Sequence, residues 1–263
     1  AIPEINIAVS SVPVQAVTRK LKATWTPELA QDINAYHAID AEVELTTILS
    51  DIIATEVDRE ILSSLLSGAA VKAAWSRSIG NYVAVQGDGS VASVSDPGGY
   101  SVNKGFTGTQ SDWYQTLAET IITVSNEIHK RNLRSGANWL VTSPDIATII
   151  EAIAYFKPNA TFDPTEVQYS LGVEKIGTLT NRFTVYKDPY FPVDKILVGY
   201  KGPGFLDAGF VYAPYVPLVF TPTIFEPNDF TPRKGAMTRY ASQMVRPEYF
   251  GRIQVTDLGV IGA

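Results

Sequence analysis

Residues 40–67, DAEVELTTILSDIIATEVDREILSSLLS, constrain the fold more than any other stretch of this chain. They predict one long helix. Asp40 is placed to cap it, because its carboxylate can accept from the free backbone N–H groups of the first turn. Glu42 and Glu44 follow where the helix dipole favours negative charge. Leu45, Ile48, Leu49, Ile52, Ile53, Val57, Ile61, Leu62 and Leu65 then recur at three-four spacing, which predicts one buried stripe. Gly68 is expected to end the helix in a left-handed turn. At 1.5 Å per residue the rod is roughly 40 Å long, well beyond the average globular helix. A lone rod of this length suggests a spine with sheet laid along it.

The flanks read as mixed structure. Residues 5–23 alternate as an extended strand, interrupted at Pro13, which cannot donate to a ladder. No hairpin partner precedes that strand. Thr26 and Pro27 form a helix start, and Leu29, Ala30, Ile33, Tyr36 and His37 are expected to form its buried face. Residues 81–94 predict a hairpin around Gly87-Asp88-Gly89. Gly87, Gly89, Gly98 and Gly99 lack the strand–helix context of a phosphate loop. Residues 111–134 predict a helix with Trp113, Leu117, Ile121, Val124 and Ile128 inward and basic residues at its end. Residues 137–142 predict a strand. Ser143 and Pro144 then cap a helix whose Ile146, Ile149, Ile150 and Ile153 face inward. Residues 155–169 read as loop; 173–179, 183–186 and 196–200 as strands; and 209–221 and 237–255 as long strands. The Pro- and charge-rich loop 222–235 lies between the last two. No repeat or long linker appears, so the fold class is α+β rather than a doubly wound sheet.

Composition removes several classes of function. The net charge of −6 argues against a free-standing nucleic-acid binder, which needs clustered Lys and Arg. The chain has no cysteine, which removes disulfides, zinc–thiolate sites and thiol nucleophiles. No apolar run reaches the length of a membrane span, and no signal segment is visible. The two histidines, His37 and His129, lack a metal-ligand spacing. His37 is expected to be packed and His129 solvated. No Gly-x-Ser-x-Gly elbow is present, and the pairs Asp58/Glu60 and Glu42/Glu44 do not face each other on a helix. No catalytic residue, cofactor or metal site is therefore assigned.

The last third carries a more specific signal. It contains VGYKGPG at 198–204, DAGFVYAPYVPL at 207–218, PNDFTPRKG at 227–235, MTRY at 237–240 and RPEYF at 246–250. Together these resemble the major capsid proteins of T-even-like tailed bacteriophages. AVTRKLKAT at 16–24, ELAQD at 28–32, HAIDA at 37–41 and ELTTILS at 44–50 agree with the same family. Residues 69–110 and 155–172 match it poorly.

The resemblance implies a Hong Kong 97-like fold, with a long spine helix, a peripheral-domain sheet and an axial domain. On that pattern residues 1–25 are the remaining strand of an extended loop and 26–105 the peripheral domain with its spine at 40–67. Residues 106–207 are the axial domain, and 208–263 are strands returning to the peripheral domain. The implied function is structural, not enzymatic: a subunit assembling with itself into hexamers, with pentamers left open, of an icosahedral head. The head would be assembled in the bacterial host cytoplasm, enclose double-stranded DNA without specific binding, and could meet vertex, decoration, portal and scaffold proteins. An encapsulin-like shell is the alternative within the fold, and a hydrolase using His37 or His129 the alternative outside it. The start at Ala1 and the absence of the family's N-terminal arm, outgoing loop strand and insertion domain point to a processed or partial chain. Ile2-Pro3-Glu4 weakly resembles the family's protease site.

A shell subunit exposes apolar surface that its neighbours bury. Tyr212, Tyr215, Phe220, Phe225, Phe230, Tyr240, Tyr249 and Phe250 are expected to supply it. Phe225, Asp229, Phe230, Arg233, Lys234, Arg239, Arg246 and Glu248 are the candidate interface residues. The plainer reading of their charges is ordinary strand-edge solvation, worth under about 1 kcal/mol each.

Overall fold

The computed structural model describes residues 13–86, 90–93, 106–159, 172–204 and 207–259. Residues 5–12, Gly87–Gly89 and the glycines at 98 and 99 lie outside them. The elements begin with β1 (Val17–Thr24), α1 (Pro27–His37), α2 (Ala41–Gly68), β2 (Val71–Ser76), β3 (Val83–Val85) and β4 (Val91–Ser93). Then come α3 (Gln110–Asn132), β5 (Trp139–Thr142), α4 (Pro144–Glu151), β6 (Phe156–Pro158), β7 (Glu174–Leu179), β8 (Phe183–Lys187) and β9 (Lys195–Gly199). β10 (Phe210–Phe220), β11 (Ile224–Phe225), β12 (Pro232–Met244) and β13 (Phe250–Thr256) complete the chain. It divides into two compact units. The first comprises Ala1–Ile53 and Val211–Gln243, the second Ala54–Phe210 and Met244–Ala263. Helix α2 contributes residues to both.

The spine helix forms as its sequence predicts, with Asp40 Oδ1 accepting from the Glu42 N–H at 2.9 Å. Two details differ. Gly68 is the last helical residue, not a left-handed terminator. Among the described residues the glycine with a left-handed φ is Gly80, at 75°. A Cβ on Gly68 would lie 2.5 Å from Met244 Sδ, so close packing is what a side chain there would meet. The apolar stripe also splits. Leu49, Ile53, Val57 and Leu65 are buried, whereas Ile48 and Ile52 are 42% and 48% exposed. A four-residue repeat drifts slowly round a 3.6-residue helix, so one line of side chains stays covered while its neighbours at 48 and 52 point away.

The first unit holds β1, β12 and β10 in that order, with β11 also on β12. The strand with no preceding hairpin partner pairs instead with a distant strand of the same chain: β1 runs antiparallel to β12 from Val17↔Tyr240 to Thr24↔Arg233. Thr26 caps α1, its hydroxyl accepting from Leu29 N at 3.3 Å. The expected buried face of α1 is not buried. The helix has no buried residue, Tyr36 is 82% exposed, and His37 is exposed rather than packed.

The second unit is built on a seven-stranded mixed sheet of order β2-β13-β9-β5-β8-β7-β6. Both of its faces are covered, and the strands alternate between them. Leu140, Ile196 and Val198 join α3 and α4 in the larger core, with Leu117, Ile121 and Ile150. Val141 and Leu197 point the other way, to Leu65, Leu66, Tyr249 and Phe250. Burial on two faces explains why β5 and β9 read as unbroken apolar runs. The predicted stripes of α3 and α4 are buried as expected. Thr109 and Asp112 form a reciprocal capping box on α3. Ser143 and Pro144 hold the N-cap and first positions of α4 as expected, but the Ser143 side chain makes no capping bond; its hydroxyl donates to Val193 O at 3.1 Å. The short strand β6 falls inside the predicted loop, on the edge of the sheet beside β7.

The stretch read as one strand over 237–255 is two. β12 starts earlier, at Pro232, and a 3-10 turn at Pro247–Tyr249 separates it from β13. Pro247 has no N–H for a ladder and sits at the first position of that turn, where its φ is already suitable.

Candidate subunit interface

The hairpin joining β11 to β12 brings four of the eight candidate residues together. Pro227-Asn228-Asp229 is a run of turn formers. It reverses the chain so that Ile224 faces Arg233 and Phe225 faces Pro232 across the ladder. Glu226 closes the turn three times over. Its N–H donates to Thr231 O at 3.0 Å, its C=O accepts from Phe230 N at 2.9 Å, and its carboxylate pairs with the Arg233 guanidinium. Phe230 takes a left-handed φ of 54°, a conformation rare for a bulky residue. The outcome is a closed hairpin with its apolar side chains turned outward: Phe225 is 61% and Phe230 71% exposed, with Ile224 beside them at 51%. Asp229 is exposed on the same turn.

Lys234 lies next to this group, but its ammonium is committed within the chain. Its Nζ donates to Glu42 Oε1 at 2.9 Å, and the Thr223 hydroxyl donates to the same oxygen at 2.8 Å. These two donors, Lys234 first, hold the Glu42 carboxyl below its ordinary pKa. Arg239 is exposed on β12, its guanidinium 5.6 Å from the ring centre of Tyr215, which is itself 74% exposed. Arg246 and Glu248 belong to the second unit. There Arg246 Nη1 donates to the Tyr249 hydroxyl at 2.7 Å, and Glu248 is half-exposed.

Of the aromatic residues expected on the surface, Tyr240, Tyr249 and Phe250 are instead buried. Tyr240 receives Arg19 Nε on its hydroxyl at 2.9 Å, while Tyr249 and Phe250 sit in the core around Leu65 and Leu66. For Tyr240 strand alternation is the cause: Arg239 and Tyr240 point to opposite faces. The sequence reading also missed apolar residues that are exposed, namely Leu29, Val43, Ile48 and Ile52. For Val43, Ile48 and Ile52 the signal was the spine itself, whose apolar positions span more of the helix than one packed neighbour covers.

His129 is exposed on α3, and no group of three His, Cys, Asp or Glu residues suited to a metal ion occurs among the described residues. No helix among them is long and apolar enough to cross a membrane.

Comparison with known proteins fits this picture. Over residues 1–260 the sequence matches the family described as major capsid protein Gp23. The major capsid protein of Enterobacteria phage T4 is 31% identical over 212 residues, which are 78% of this chain and 38% of that protein. That of Vibrio phage KVP40 is 30% identical over 209 residues, again 78% of this chain and 38% of the relative. The chain thus spans well under half the length of these relatives. Among solved structures, the capsid of cyanophage P-SCSP1u superposes with a TM-score of 0.55 at 10% identity, covering 97% of this chain and 80% of that one. The mature capsid of bacteriophage PhiM1 gives 0.54 at 12%, covering 98% and 78%. The SrpI encapsulin complex of Synechococcus elongatus gives 0.51 at 12%, covering 95% and 78%. At such identities the likeness is one of fold, the Hong Kong 97-like shell fold. The Gp23 match over nearly the whole sequence is one of family, and the chain belongs to the Gp23 family of phage major capsid proteins.

Proposed function

We propose that this chain is the shell-forming part of a tailed-phage major capsid subunit, which assembles with copies of itself into the capsomers of an icosahedral head around double-stranded DNA. The match to the Gp23 family over residues 1–260 carries the reading. The closed hairpin at 224–233 supports it: a protein that holds Phe225 and Phe230 in the open, one of them in a left-handed conformation, needs something to cover them. Its mechanism is symmetric association rather than bond chemistry. Phe225 and Phe230 are the apolar contact residues. Arg233 acts behind them, closing the turn through Glu226. Asp229, Arg239, Arg246 and Glu248 are rim contacts, and Lys234 orders the hairpin base through Glu42. In family terms we assign 106–207 to the axial domain and 1–25 to the remaining strand of the extended loop, a reading supported by the inclusion of 106–207 in one compact unit and by the pairing of β1 with β12. An encapsulin-like shell shares the fold, but the curated relatives are phage capsid proteins.

Electron microscopy of the full-length protein, alone and with Phe225→Ser and Phe230→Ser together, tests this. The unaltered protein should form six-fold capsomers or shells, and the double variant should remain soluble and folded but fail to build them. Failure of the unaltered protein to assemble at any concentration would refute the shell reading.

A further inference from the structure

The second unit carries two surfaces with complementary chemistry. On β5 and β8, Trp139, Val141, Thr184 and Tyr186 share one face of the sheet, and with Val173 and Lys201 they line an open groove of about 420 Å³. The helical cover of this face, Leu65 and Leu66, lies with Val141 in the smaller core, leaving Trp139 and Tyr186 half-buried. Lys201 stands at the groove exposed. Its backbone is fixed by Asn138, which accepts from Lys201 N at 3.0 Å and donates to Lys201 O at 2.8 Å. Among the described residues its ammonium has no ion-pair partner. The groove therefore offers an apolar wall and one unmatched cation.

The matching surface follows α4. Glu151 is the last residue of that helix and is exposed, with no basic residue in the last turn and no ion-pair partner among the described residues. A carboxylate there opposes the helix dipole, so its charge is not explained by the helix it ends. Four residues on, Tyr155 is 58% exposed, while its carbonyl is pinned by Thr180 N at 3.0 Å. The backbone is held and the ring is free. This segment offers an aromatic ring beside one unmatched anion, the complement of the groove.

Taking the proposed shell function as given, we infer that the groove seats the Glu151–Tyr155 segment of a second copy of this chain, with Tyr155 against Trp139 and Tyr186 and Glu151 against Lys201. Repeated head-to-tail about a rotation axis, a contact between two such patches closes into a ring. Tyrosine suits such a contact, joining a large apolar face to a polar tip at low entropy cost.

The test compares the full-length protein with Lys201→Glu, Glu151→Lys, the two combined, and Tyr155→Ser. Each soluble subunit is first checked for an unchanged thermal midpoint, and capsomers are then counted by sedimentation and microscopy. Each single charge reversal should lower capsomer yield about tenfold at equal concentration, and the combined reversal should restore most of it. Tyr155→Ser should lower the yield with no rescue from either charge change. Unimpaired single variants, or a combined variant no better than the singles, would overturn the contact while leaving the shell function standing. Unaltered protein that never assembles would overturn that function first.

Discussion

Gly251 lies in β13 between β2 and β9, facing α3, and it sets how closely that helix approaches the sheet. A Cβ built there would lie 2.5 Å from Val124 Cγ1, with Ile128 Cδ1 and Val71 Cβ at an ordinary 3.5 Å. Carbon atoms rest at about 3.5–4.0 Å, so Gly251→Ala forces roughly 1 Å of separation at one contact. Overpacking of this kind costs about 1–3 kcal/mol, while replacing glycine recovers about 0.5–1 kcal/mol of chain entropy. The net loss should be about 1–2 kcal/mol, a fall in Tm of roughly 2–8 °C for a chain of this size. Val124→Ala alone should cost about 2 kcal/mol by trimming a buried isopropyl group to a methyl. Together the two should cost little more than Val124→Ala, because the atom that the added methyl group would strike is gone. The coupling expected is therefore about 1 kcal/mol or more. Urea unfolding followed by tryptophan fluorescence reads the same core, which contains Trp75 and Trp113. Strict additivity, within about 0.5 kcal/mol, would refute the argument that this glycine exists to seat Val124.

Three other outcomes follow from details of the fold. Gly68→Ala should be neutral or stabilising by up to about 1 kcal/mol, because Ala is the better helix former and the tip of Met244 can yield; a large loss on thermal denaturation would restore the left-handed terminus. Thr109→Ala should lower stability by about 1 kcal/mol through loss of the capping box on α3, and Thr109→Ser should recover most of it in the same assay. The depressed Glu42 contributes stability that is present above its unfolded pKa, about 4.3, and is lost as the pH falls through its lower folded value. Urea midpoints measured from pH 6 to about 3 should accordingly fall less steeply in Glu42→Gln than in the unaltered protein.

Where one element explains its own pattern, the sequence was sufficient. The spine, the cap at Asp40, and the stripes of α3 and α4 all follow from spacing and from the backbone groups a helix leaves open. The errors share a cause, because periodicity says that a side chain wants cover and not what provides it. Leu29 and Tyr36 kept helical spacing yet are exposed, since the chain covers α1 too little to bury any of its residues. Tyr240, Tyr249 and Phe250 read as surface aromatics in a Pro-rich tail, but strand pairing turned Tyr240 inward and a 3-10 turn set the other two into a core. The candidate interface was half legible. The loop at 222–235 and its aromatics Phe225 and Phe230 were read from the sequence, but its closure into a hairpin and pairings such as Arg233 with Glu226 and Lys234 with Glu42 depend on which strands lie side by side. The groove at Trp139 had no local signature, because its walls come from β5, β8 and two loops far apart in sequence.

Helix α1 has eleven residues and none of them buried. A helix that short is marginal in water when it has nothing to lean on. Its order is then a property of the solution as much as of the chain. Whatever binds its exposed face stabilises it by mass action, in proportion to the logarithm of that partner's concentration. If the proposed assembly covers this face, the amide protons of the segment should exchange faster in a dilute monomer than in the assembled copies. Hydrogen exchange at residues 27–37 would then distinguish the free chain from one so covered, without any label.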